Sequence, residues 1–139
     1  MLLDPTTGFG ERAARRLRDE MIGWLVTVNP AGAPVPVPVW FLWDGDSSVL
    51  VYSRPATPKL RNIAANPRVA LHLDGDGRGG DVVVLSGRAA ESADPPADQV
   101  PEYMAKYRGL IEGNGWSPAS FAADYSVPLR VTVSAVRGH

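Results

Sequence analysis

The amino-acid sequence predicts a mainly β protein, in which six antiparallel strands form a small barrel flanked by short helices. Apolar segments of strand length alternate with turn residues along most of the chain. The connections between these segments are too short for the crossovers that parallel strands need. The 14 glycines and 13 prolines among 139 residues exceed average usage, as expected for a chain with many turns. A barrel is favoured over an open sheet because closure removes unpaired strand edges.

Four helices are expected around the strands. Over residues 8–21, apolar residues recur at every fourth position, which is the spacing of an amphipathic helix. A short second helix is predicted to begin at Thr57, whose hydroxyl would cap it, with Pro58 at the first helical position. Helical spacing also predicts a pair of helices before the last strand, over residues 100–111 and 117–125.

The strands are separated by turns rich in Gly, Pro, Asn and Asp. The second strand has prolines at 34, 36 and 38, so its three missing N–H donors lie along one edge. That edge cannot be fully paired. The six predicted strands are residues 22–28, 34–43, 48–53, 68–73, 81–90 and 127–136.

Composition excludes several classes of protein. The length predicts one domain, residues 1–139. A net charge of −1 argues against a protein that coats nucleic acid or an anionic membrane. The absence of cysteine excludes disulfides and thiolate chemistry. No apolar run is long enough for a membrane span and the first residues do not look like a secretory signal, so a cytoplasmic protein is expected.

A local anion site is expected in the middle of the chain. Residues 47–73 contain four bases and no acid, although the whole chain is nearly neutral. At the predicted helix start, unpaired amides, the Thr57 hydroxyl and the Lys59 charge together suit a phosphate. The alternative is that Thr57 only caps the helix and the bases are solvated. The residues alone leave both interpretations open.

No residue pattern indicates a metal site or a catalytic dyad. The histidines are His72, within a predicted strand, and His139, and the carboxylates show no ligand spacing, so no metal is expected. No Gly-x-Ser-x-Gly segment is present. An anion pocket without a dyad suits a phosphate-bearing cofactor that supplies its own chemistry.

Four segments of the chain, taken together, are typical of a known protein family. They are residues 38–45 (PVWFLWDG), 52–63 (YSRPATPKLRNI), 66–71 (NPRVAL) and 80–84 (GDVVV). Together they resemble the pyridoxamine 5′-phosphate oxidase-like split-barrel superfamily, and within it the actinobacterial branch of F420-dependent reductases. The resemblance extends from about residue 22 to about residue 137.

The resemblance implies a homodimer of six-stranded split barrels, with one cofactor in each of two grooves between the protomers. The residues it implies for the cofactor phosphate are Ser53, Arg54, Thr57, Pro58 and Lys59, and the ring would lie against the backbone of Pro38, Val39 and Trp40. Relatives often have a second base at the position of Thr57, so phosphate affinity here would depend more on Lys59 and Arg54. Candidate partners for the acidic tail of coenzyme F420 are Arg12, Arg15, Arg16 and Arg61.

The implied activity is that of an F420H2-dependent oxidoreductase. Hydride would pass from the reduced deazaflavin to an electron-poor small molecule such as an enone or quinone. Trp116 is expected in the substrate pocket, and either solvent or Tyr125 is expected to donate the proton, whereas Trp24 and Trp43 are expected to serve packing. Two alternatives remain open: an FMN enzyme of the pyridoxamine-phosphate-oxidase type, or a non-catalytic binder of flavin, deazaflavin or haem, the last with His72 as axial ligand.

Overall fold

The computed structural model describes residues 2–139, and within that range it contains seven β-strands and four α-helices. The strands are β1 (Gly23–Val28), β2 (Pro34–Val39), β3 (Leu42–Trp43), β4 (Ser48–Ser53), β5 (Arg68–His72), β6 (Val83–Glu91) and β7 (Val127–Gly138). The helices are α1 (Gly8–Asp19), α2 (Pro58–Ala65), α3 (Pro101–Gly113) and α4 (Pro118–Asp124), with a 3-10 turn at Ala97–Gln99. In this range no helix has both the length and the apolar character that crossing a bilayer requires.

The expected count of six strands is wrong because the predicted strand 34–43 is broken into β2 and β3. At the break, the Phe41 N–H donates to the Tyr107 hydroxyl over 2.8 Å. The Phe41 carbonyl accepts a hydrogen bond from Lys106 Nζ over 2.9 Å. These side chains on α3 take the place of ladder partners, so the backbone leaves the sheet at this point.

All the strands lie in one sheet in the order β2-β1-β5-β6-β7-β4-β3, and every pairing is antiparallel. The two end strands, β2 and β3, are separated by only two residues of chain. Val39 and Leu42 are therefore at most about 11 Å apart, whereas the edges of a flat seven-stranded sheet would be about 29 Å apart. The sheet must curl into a half-barrel. This confirms the mainly β antiparallel class and is consistent with a split barrel, but the edge strands do not pair to close it.

The prolines of the second strand lie on the edge strand β2, opposite residues of β1. Because proline has no N–H, the donors that β2 gives to β1 must come from the valines between them. The free edge of the sheet then presents backbone carbonyls without N–H groups. Such an edge is a poor template for pairing with another strand.

Two apolar cores lie on opposite faces of β4. Val49 and Val51 belong to the core that also contains α1, α2 and the predicted packing residue Trp43. Leu50 and Tyr52 point to the other face and pack against α3 and α4. The strand is therefore covered on both sides, and the second core is where the aromatic residues collect.

Candidate functional site

A cavity of about 400 Å³ opens between the edge of the sheet and the helices α2, α3 and α4. Three of its lining residues, Pro38, Val39 and Trp40, come from the end of β2 and the strand break. The family resemblance implied a cofactor ring against the backbone of these three residues, and that role stays a prediction. The other lining residues are Ile22, Tyr52, Lys59, Tyr103, Asn114, Trp116, Phe121 and Tyr125.

The walls of the cavity are flat aromatic rings. Trp40 stacks on Tyr107 with a centroid separation of 4.9 Å and on Phe121 at 5.3 Å. Tyr125 stacks on the same Phe121 at 4.8 Å, and Trp116 meets both at nearly right angles. Flat ring faces of this kind favour a flat, conjugated ligand packed beside them.

Lys59 is the charged residue among those that line the cavity. Its side chain is half-buried, and no carboxylate within residues 2–139 forms an ion pair with it. Burial lowers the pKa of the Lys59 amine because it disfavours the charged form. An anionic group bound beside the amine would favour the charged form again, so the position suits an anion.

The turn before α2 brings three of the predicted phosphate residues together. Ser53 is fully buried, donates its hydroxyl proton to the Arg54 carbonyl over 2.8 Å, and lies 3.1 Å from the Thr57 hydroxyl. Pro58 is at the first helical position as expected, but Thr57 makes no side-chain capping bond. The expectation of a capping hydroxyl is wrong, because the Thr57 hydroxyl turns towards Ser53 instead.

The same turn leads directly into the N-terminus of α2, which is the positive end of the helix dipole. Ala56 has φ of +60°, and its carbonyl accepts a hydrogen bond from Arg61 Nη1 over 2.9 Å. The Thr57 carbonyl accepts from the N–H groups of Leu60 and Arg61. The aligned peptide dipoles of an eight-residue helix therefore end between Thr57 and Lys59.

Arg54 is exposed and lies over the ring of Tyr125, with 5.0 Å between the guanidinium carbon and the ring centroid. This contact is a cation–π pair. Because Tyr125 lines the cavity, Arg54 joins the turn before α2 to the aromatic wall.

Of the arginines considered for an acidic tail, only Arg61 lies at this turn. Arg12 pairs with Asp81 at 3.1 Å. Arg15 pairs with Glu11 on α1, and Arg16 with Glu20 and Asp81. The α1 arginines are therefore engaged with acids of the chain itself.

Five cavity residues were not singled out from the sequence: Ile22, Tyr52, Tyr103, Asn114 and Phe121. The spacing of Tyr103 and Tyr107 in the predicted helix is a signal that could have placed both on one face. It does not distinguish a core face from a cavity wall. His72, the haem-ligand candidate, does not line the cavity but stacks on Trp24 at 6.4 Å.

Comparison with known proteins identifies relatives over most of the chain. A family model described as pyridoxamine 5′-phosphate oxidase matches residues 9–139. A search of curated proteins found no match.

Several solved structures are similar to this fold. An F420 reductase is 26% identical with a TM-score of 0.64, over 88% of this chain and 94% of that one. A FAD-binding protein from Mesorhizobium loti is 23% identical with a TM-score of 0.63, over 91% and 88% of the two chains. A conserved hypothetical protein from Mycobacterium tuberculosis is 21% identical with a TM-score of 0.71, over 91% and 81%.

Proposed function

Because the chain belongs to the pyridoxamine 5′-phosphate oxidase family, we propose that it is an oxidoreductase that binds a flavin-type cofactor, and that this cofactor is coenzyme F420. The family and the similar structures support the broader class, a flavin or deazaflavin oxidoreductase. The choice of the deazaflavin rests on the resemblance of the four segments and on the similarity to an F420 reductase at 26% identity.

The observation that carries the proposal is the position of Lys59, a half-buried amine without an acid partner in residues 2–139 that opens into an aromatic cavity. Such a cavity suits a ligand with both a flat ring and an anionic group. Coenzyme F420 and FMN both have this combination, so the residues present fit the group.

In the proposed complex, Lys59, Arg54, Thr57 and the amides at the start of α2 hold the phosphate. Ser53 is buried under the turn that carries Arg54 and Thr57 and stabilises it through hydrogen bonds to the Arg54 carbonyl and the Thr57 hydroxyl. The backbone of residues 38–40 borders the ring. Arg61 is available to the acidic tail.

When bound here in its reduced form, the cofactor would supply a hydride from C5 of its ring. The chain contributes position and the exclusion of water, because hydride transfer needs the two carbons within about 3–3.5 Å. Trp116 borders the space left for an electron-poor acceptor such as an enone or quinone, and Tyr125 is the proposed proton donor. The protein acts as a homodimer in this proposal, with a second protomer covering the open side of each cavity.

Titration of the purified protein with F420 and with FMN, followed by quenching of cofactor fluorescence, tests the cofactor. We expect the affinity for F420 to exceed that for FMN. Tighter binding of FMN would favour the pyridoxamine-phosphate-oxidase type of enzyme instead. Turnover of an enone or quinone by the F420H2 complex, faster than with free F420H2, distinguishes an enzyme from a non-catalytic carrier.

A further inference from the structure

Three tyrosines meet at the wall of the cavity, and two of them have partners for their hydroxyls. Tyr107 accepts from the Phe41 N–H and lies 2.7 Å from the Met21 carbonyl, to which it donates. Tyr52 donates to the Pro95 carbonyl over 2.5 Å. The third, Tyr103, packs its ring between them, at 5.0 Å from Tyr52 and 4.9 Å from Tyr107.

The Tyr103 hydroxyl is the exception in this group. The side chain is 99% buried, since only 1% of the residue is exposed, yet no group within residues 2–139 hydrogen-bonds to its hydroxyl. In the same range, no fully enclosed side-chain polar atom lacks a partner. The Tyr103 oxygen must therefore reach open space, and the space that Tyr103 borders is the aromatic cavity.

A hydroxyl at this place can be partnered only by a molecule in the cavity, either water or a ligand, whereas phenylalanine would pack the ring equally well without needing either. A ligand with an acceptor atom at this point would supply the partner. Burial raises the pKa of Tyr103, so the hydroxyl keeps its proton and acts as a donor. The Lys59 charge in the same cavity favours an electron-rich acceptor over a second donor.

We propose that the Tyr103 hydroxyl donates a hydrogen bond to a carbonyl oxygen of a flat conjugated ring held in this cavity, and thereby determines which rings the cavity accepts. The proposal deepens the function proposed above and rests on it for the origin of the ring, which is either the cofactor or the carbonyl substrate. In both cases the chemistry at Tyr103 is the same.

The test compares two flat bicyclic probes, chromone with a ring carbonyl and naphthalene without one, by equilibrium dialysis against the full-length protein. In Tyr103→Phe we expect chromone to bind about 2- to 12-fold more weakly, the range for one neutral hydrogen bond. Naphthalene should bind as to the wild type, which also shows that the cavity persists. Tyr52→Phe is the matched control, because its hydroxyl is already donated to Pro95, and it should keep the wild-type ratio.

An unchanged ratio of chromone to naphthalene affinity in Tyr103→Phe would overturn the proposal. Repeating the dialysis with saturating F420 distinguishes the two sources. Mutual exclusion of F420 and chromone assigns the Tyr103 partner to the cofactor ring, and simultaneous binding assigns it to the substrate; either result supports the role of Tyr103. A third outcome separates the two proposals. If neither F420 nor FMN binds, but Tyr103→Phe still changes the ratio of chromone to naphthalene affinity, the proposed function fails and the recognition of a ring carbonyl by Tyr103 stands.

Discussion

A lysine amine among aromatic rings is costly unless something offsets its desolvation. Lys59 has no carboxylate partner in residues 2–139, so its charge is compensated only by the remaining access to water. The lowered pKa of its amine reports this cost. An anionic ligand would offset it, and the ligand should therefore bind more weakly as pH rises and the amine loses its proton.

Replacing this amine is the first prediction at the residue scale. Lys59→Ala should weaken binding of F420 by about 1.5–3 kcal/mol, the range for hydrogen bonds to a charged group, while thermal unfolding changes little. The measurement is fluorescence titration of both proteins. Arg78→Ala, which removes an exposed base from the 74–80 loop, is the control and should bind as the wild type. Equal affinity of Lys59→Ala and the wild type would show that the anion site lies elsewhere.

Lys106 gives a second prediction, for stability against pH. Burial lowers the pKa of its amine to about 8 in the folded protein, against about 10.4 for an unfolded chain. Between these values the unfolded state binds more protons than the folded one, so the free energy of unfolding rises with pH. Because Lys106 is only half-buried, the rise should be on the order of 1 kcal/mol.

Urea unfolding from pH 7 to 10 measures this rise as the difference between the wild type and Lys106→Met. The difference should grow in favour of the wild type with increasing pH. Arg108→Met removes an exposed charge from the same helix and should show no such growth. A flat difference for Lys106→Met would mean that the amine is solvated in the folded state.

At the scale of elements, the break between β2 and β3 positions Trp40 against the cavity. Two side chains of α3 hold the break, since Tyr107 and Lys106 bond the N–H and carbonyl of Phe41. Trp40 in turn stacks on the Tyr107 ring at an interplanar angle of 5°. The helix therefore determines both where the strand ends and how the adjacent wall of the cavity is oriented.

The third prediction concerns the Tyr107 hydroxyl, which accepts from the Phe41 N–H and donates to the Met21 carbonyl. Tyr107→Phe leaves the Phe41 N–H and the Met21 carbonyl without that partner, and should lower the free energy of unfolding by about 1–3 kcal/mol. Tyr103→Phe, four residues earlier on α3, removes a hydroxyl with no protein partner in residues 2–139 and should change stability little. Urea unfolding of the pair measures the contrast. An equal loss of unfolding free energy in both variants would show that the Tyr107 hydroxyl adds nothing beyond the packing of its ring.

The strands and helices were predictable from local chemistry, as the β-turn at Asn29–Gly32 and the proline at the start of α2 illustrate. The break at Trp40–Phe41 was not, because both residues continue an apolar strand pattern. Their ladder partners are replaced by the side chains of Tyr107 and Lys106, which are 66 and 65 positions further along the chain than Phe41. The same applies to Tyr103: spacing placed it on a helix face, but only the fold shows that its hydroxyl lacks a partner.

At the scale of the whole molecule, the outer face of the sheet is largely apolar and half-exposed along β1 and the adjoining part of β5. Trp24, Val26 and Val28 alternate with the core residues of β1. Directly paired residues share a face, so Ala70 and His72 of β5 lie beside them. Arg68 of β5 and its β6 partner Arg88 lie on the same face and border this apolar part. A half-exposed apolar surface of this kind, next to an open cavity, is the one that the proposed homodimer would bury.

The last prediction tests that assembly. Light scattering of the wild type should give twice the chain mass of 14.9 kDa. Val26→Lys places a charge in the centre of the apolar face, where Val26 lies between Pro36 and Ala70, and burying an unpaired charge costs several kcal/mol. We therefore expect this variant to have the mass of one chain and to bind F420 more weakly, since the partner no longer covers the cavity. Ala105→Lys adds the same charge at an exposed position on α3 and should remain dimeric. A wild type with the mass of one chain that still binds F420 would show that a single protomer forms the complete site.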